Sequence, residues 1–257
     1  MASYTRNQKS PSRSALRSLV PADTAIVLGA LTAAVALAWV WLFFLPMQTL
    51  MAEPFSWEYV LPAFTMWAMM MVAMMVPSAA PMILLRARID RARPGLSRTA
   101  HTLLFAAAYI LVWTAFSAAA AVAQAVLVRI GVVSSMRLSI GNRTVAAGLL
   151  FLAAIYEITA AKRLCLDKCN SPLLFMLKNF RPGAVGAFRL GVVHGLFCLG
   201  CCWALMLLLF IGGVMNLAWV ALIGIAVIGE KFAPRPWHAE RYVGAALAVG
   251  GAVLLAA

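Results

Sequence analysis

With 257 residues, 64% hydrophobic and only 11% charged, this chain is too apolar for a soluble domain. Its apolar runs repeatedly reach the ~20 residues that a bilayer-crossing helix needs, and their continuity excludes the short alternating strands of a membrane barrel. The net charge of +13 reads as a topology signal, so no nucleic-acid partner is expected.

Residues 1–22 are polar and rich in Ser and Arg, and read as a disordered cytoplasmic tail. The remainder, 23–257, reads as a single transmembrane helical domain with no soluble domain. The expected fold is all-α, a polytopic bundle of about seven spans at 24–45, 60–85, 102–128, 145–163, 185–210, 215–229 and 241–257. The first run is too long for a signal-peptide core and lacks a nearby small-residue cleavage site, so an uncleaved helix is expected. With the N-terminus in the cytoplasm, 18 of the 21 Lys and Arg fall on the cytoplasmic side; Arg129, Arg137 and Arg143 lie opposite. Such basic loops sit against anionic headgroups, which makes the lipid bilayer an expected partner.

The second span carries Met66-Trp-Ala-Met-Met-Met-Val-Ala-Met-Met75, six methionines in ten residues. Met66, Met70 and Met74 share one helix face, and Met71, Met75 and Met82 another. Methionine is an ordinary filler of apolar helices. This density of thioether also suits a soft ion such as Cu(I). Pro77 and Pro81 predict a kink toward the cytoplasmic end, with Ser78 available to satisfy freed carbonyls.

Glu157 is the one acidic residue well inside an expected span. It reads as a proton acceptor, a hard ligand or a headgroup-level carboxylate, with Lys162 imperfectly spaced for a pair within one helix. Beyond it, Cys165 and Cys169 stand one helical turn apart among Lys162, Arg163 and Lys168, a setting that favours thiolate and metal capture or transient redox chemistry. They also read as incidental juxtamembrane cysteines.

The fifth span holds His194-Gly-Leu-Phe-Cys198-Leu-Gly-Cys201-Cys202-Trp-Ala-Leu-Met206. His194, Cys198, Cys201 and Cys202 fall at i, i+4, i+7 and i+8, a stripe of imidazole and thiol with Met206 one turn further. Thiolate, imidazole and thioether together select Cu(I) over Zn²⁺; the alternative is cysteine as a small buried hydrophobe. Gly191 and Gly195 mark a close helix approach, here expected against the Met-rich span. Glu230-Lys231 reads as an interfacial ion pair, and His101 and His238 as surface histidines. No phosphate loop, dinucleotide fingerprint, kinase signature or nucleophile elbow occurs, so an enzyme is not the favoured reading.

Met66 to Pro81, Lys162 to Cys169 with Pro172, and Gly191 to Met206 resemble a bacterial family described as predicted metal-binding integral membrane proteins. Gly213-Val-Met-Asn216 and Glu230-Lys231 extend the resemblance, which covers roughly residues 60–231. It implies a helical membrane protein that handles metal, and a bacterial inner-membrane location.

The residues and the resemblance together lead to a Cu(I)-binding membrane protein for copper transport or delivery. Copper is then the bound ion, and a copper-dependent membrane or extracytoplasmic protein a candidate recipient. The alternatives are a membrane thiol-disulfide oxidoreductase, with Cys198/Cys201 or Cys201/Cys202 cycling, and a scaffold subunit of a larger membrane complex.

Overall fold

The computed structural model describes residues 22–44, 52–91 and 98–256; nearly all of the expected tail lies outside them. The described residues form helices joined by short turns: α1 Ala22–Phe44, α2 Trp57–Arg91, α3 Arg98–Arg129, α4 Arg143–Glu157, α5 Ala160–Asn170, α6 Pro172–Asn179, α7 Gly183–Leu207, α8 Leu217–Phe232 and α9 Ala239–Ala256. After Leu208, α7 continues as the single turn Leu209–Gly212.

Five described segments are long and apolar enough to cross a membrane: Ala25–Phe44, Trp57–Ile89, Thr99–Arg129, Gly183–Gly212 and Ala239–Ala256. The expected span at 145–163 is instead a bent pair, α4 and α5, meeting at 64°. Thr159 causes the break by capping α5, its side chain accepting the Lys162 backbone N–H. Counting that pair as one span gives six. The remaining expected span coincides with α8, whose 16 residues cover only ~24 Å at 1.5 Å per residue, short of a ~30 Å hydrocarbon core.

Both α2 and α7 pack chiefly on α3, and α9 packs along α4. The glycine stripe explains the α3–α7 contact. A Cβ at Gly191 would lie 2.3 Å from the Phe105 carbonyl oxygen, and one at Gly195 would lie 2.9 Å from Val112. The stripe does mark a close approach, but toward α3, which stands between α7 and much of the Met-rich helix. The expected α2–α7 packing is replaced by a few side-chain bridges. Pro77 and Pro81 lie inside α2, which continues through them as one element. In that stretch the Met75 carbonyl accepts from Ser78 Oγ at 2.8 Å and from Tyr109 OH at 3.1 Å.

The core is sulfur-rich: Met66, Met70, Met71, Met74, Met75 and Met82 are all buried. At one end, Trp67 Nε1 donates to Gln124 Oε1 (2.8 Å), and Gln124 Nε2 donates to Tyr59 OH (3.0 Å). These bonds satisfy polar groups that would be costly in an apolar interior.

Candidate metal centre

Because α7 is helical through the Cys run, Cys198, Cys201, Cys202, His194 and Met206 all fall on its buried side. Their partners come from five other elements. Lys231, on the last turn of α8, donates from Nζ to Cys198 Sγ at 2.8 Å and to Ser78 Oγ at 2.9 Å. Tyr109 OH, on α3, lies 3.0 Å from Cys198 Sγ. That hydroxyl has one hydrogen and two neighbours, Cys198 Sγ and the Met75 carbonyl, so it can give the hydrogen to the sulfur or accept one from it.

Cys202 Sγ approaches Met75 Sδ to 4.0 Å. This is the point where the Met-rich helix and the Cys run touch through sulfur. The Cys201 and Cys202 thiols both turn back to the Cys198 carbonyl, at 3.0 and 2.9 Å. Cys169, from α5, interacts with the Cys198 and Cys201 thiols. Cys165 lies against Gly200, where an added Cβ would sit 2.8 Å from its sulfur. All five cysteines are free thiols. With two thiols turned to a carbonyl, no three His, Cys, Asp or Glu side chains among the described residues stand arranged to hold a metal. A metal would draw on thioether and on rotated thiols.

His194 is 3% exposed, stacked on Phe105 and Tyr109 and edge-on to Phe175. Its Nδ1 has no hydrogen-bond partner. It lines a cavity of about 470 Å³ together with Ser78, Met82, Cys169 and Lys231. The cavity lies at the end of the bundle where α5 gives way to α6 and α8 ends.

The candidate residues therefore separate into groups. Cys169, Cys198, Cys201, Cys202 and Met75 gather, with His194 at the adjoining cavity. Met74 instead packs at Gly224 of α8, where a Cβ would lie 3.4 Å from its Cγ. Met66, Met70, Met71 and Met206 are buried in the core.

One charge reading is corrected. Glu230 and Lys231 do not pair with each other, because adjacent helical residues face different ways. Lys231 turns to Cys198, whereas Glu230 turns to Lys162 Nζ at 2.7 Å. The bend at Thr159 also brings Lys162 onto Glu157, a pairing that a straight helix would not allow. Sequence reasoning missed Lys231 and Tyr109 as partners of Cys198. The available signal for the first was a lysine closing an apolar helix beside a carboxylate.

Residues 64–254, nearly three quarters of the chain, match the family described as copper chaperone (PpoB2). The chain belongs to this copper chaperone family. The match begins just before Met66 and includes α9, so it extends past the region of the motif resemblance. No curated protein and no solved structure matches the chain. Family membership makes the function copper-related.

Proposed function

We propose that this protein is a membrane-embedded chaperone that binds Cu(I) through sulfur and passes it to a recipient protein. The observation that carries this reading is the meeting of Cys202 and Met75 sulfurs, 4.0 Å apart, beside further thiols in a chain of the copper chaperone family. With metal–sulfur bonds of ~2.3 Å, sulfurs 4.0 Å apart subtend about 120° at a shared ion. That angle suits a three-coordinate site. Rotation of the Cys201 thiol away from the Cys198 carbonyl supplies the third sulfur. Soft thiolate and thioether donors favour Cu(I), and each thiol that binds gives up its proton.

Cys169 and His194 at the cavity form the receiving end, and Cys198 links them to the Cys202–Met75 pair. Lys231 places a positive charge against the Cys198 sulfur, offsetting the negative charge of a thiolate in an apolar interior. Because each site has few ligands, the ion can pass by ligand exchange and is never bare in hydrocarbon. In this reading the cavity faces the cytoplasmic side of the bacterial inner membrane, the orientation that the basic loops favour. The exposed apolar side chains of α1 and α9, such as Leu37, Phe43, Val249 and Val253, fit a lipid environment.

X-ray absorption of the Cu(I)-loaded protein tests the site. The expected first shell is sulfur, about three atoms. A shell of nitrogen or oxygen, or no copper uptake, contradicts it.

A further inference from the structure

Glu157, Lys162 and Glu230 lie together in the interior, at 0%, 0% and 3% exposure. Lys162 Nζ donates to Oε2 of both glutamates. Each carboxyl keeps its Oε1 buried without a hydrogen-bond partner, and the two carboxyls also interact with each other. Glu230 lines a second cavity, of about 240 Å³. This group takes no part in the copper site, and the family match does not assign it a role.

Two ionised carboxylates and one ammonium leave one negative charge in excess, enclosed where an uncompensated charge is costly. One proton removes the excess. Placed on one carboxyl, it turns that group into a donor toward the other, with which it already interacts.

Among the described residues, further charged groups near this cluster line the second cavity. From α5, Arg163 and Asp167 line that cavity; from the turn before α9 and its first turn come His238 and Glu240, paired at 3.2 Å. Lys231 of α8 points away, to Cys198. Gly244 of α9, at the back of Glu157, and Gly200 and Trp203 of α7, against Tyr156, bring no charge. The cavity thus holds Glu230, Asp167 and Glu240 against Arg163 and a histidine, and it favours an incoming cation.

We propose that Glu157, Lys162 and Glu230 form a proton-binding site, reached from water through the cavity at Glu230 and coupled to copper occupancy through the adjacent Lys231. The coupling rests on the copper reading; the proton site does not. Uptake forms one O–H bond between a cavity proton and a carboxylate oxygen; release reverses it. Glu230 and Lys231 are consecutive on α8, so a shift of Lys231 when Cu(I) reaches the Cys198 region moves Glu230 as well. Copper on the Cys198 sulfur takes the partner of Lys231, and the freed ammonium compensates a carboxylate of the group in the proton's place, which favours release of the proton.

The full chain in detergent micelles, with Cu(I) as the probe, tests this by infrared spectroscopy and by counting protons released. Copper-free wild type should show the carbonyl band of a protonated carboxylic acid, shifted in D2O and lost on copper binding. Either E157Q or E230Q should abolish the band, since one remaining carboxylate balances Lys162. E157Q should bind copper while releasing one proton fewer per ion. A wild type without the band, or a band that survives in both variants, overturns the proton site. Equal proton release by wild type and E157Q overturns the coupling. Failure to bind copper overturns the copper reading instead, and the band still decides the proton site. The wild-type spectra suffice if a variant does not fold.

Discussion

Replacing Gly191 with alanine probes the contact that positions the site. The new Cβ would lie 2.3 Å from the Phe105 carbonyl oxygen, 2.8 Å from Ala108 Cβ and 3.1 Å from the Phe105 carbonyl carbon. Two of these atoms are helix backbone, so no side-chain rotation relieves them. Restoring ordinary contact requires α3 and α7 to part by ~1 Å, and overpacking of this kind costs about 1–3 kcal/mol. Tyr109 and Cys198 sit on these two helices, 3.0 Å apart, so the same displacement breaks their contact. Gly148→Ala is the matched control, with nothing within 4 Å of its added Cβ; it should be neutral or stabilising by up to ~1 kcal/mol, as for Gly→Ala in an open helix position. Thermal unfolding in detergent reads both, and G191A should lower Tm by several degrees and weaken Cu(I) binding. Equal Tm for the two variants would refute the packing argument.

Met75→Leu keeps core volume and costs under ~1.5 kcal/mol, yet should weaken Cu(I) affinity in competition with a Cu(I) chelator; Met66→Leu should leave affinity unchanged. Gln124→Leu strands Trp67 Nε1 and the Tyr59 hydroxyl, and should cost about 1–3 kcal/mol in thermal unfolding with copper binding retained. Reporter fusions in the 86–98 loop should report the cytoplasm, and an external signal there would reverse the topology drawn from the 18 basic residues.

Much of the helical layout was legible because long apolar runs have few alternatives to helix. The break at Ile158–Thr159 was not, since one threonine in an apolar run carries little hydropathy signal; its capping role emerges only with the bend. That break hid the Glu157–Lys162 pairing. Gly191 and Gly195 announced a close approach without naming the neighbour, because a small-residue stripe fixes a helix face and not its partner. Methionine density likewise could not separate Met75, which meets a thiol, from Met66, which fills the core. Only the three-dimensional register of α2 against α7 distinguishes them.

The most direct test is the copper content of protein purified from copper-supplemented cells, for wild type and for a variant with Cys198, Cys201 and Cys202 changed to serine. A hydroxyl is a hard donor and a poor replacement for thiolate at a soft ion. Wild type should carry copper, and the folded triple variant should carry almost none. A wild type without copper, or a triple variant that retains it, would contradict the account.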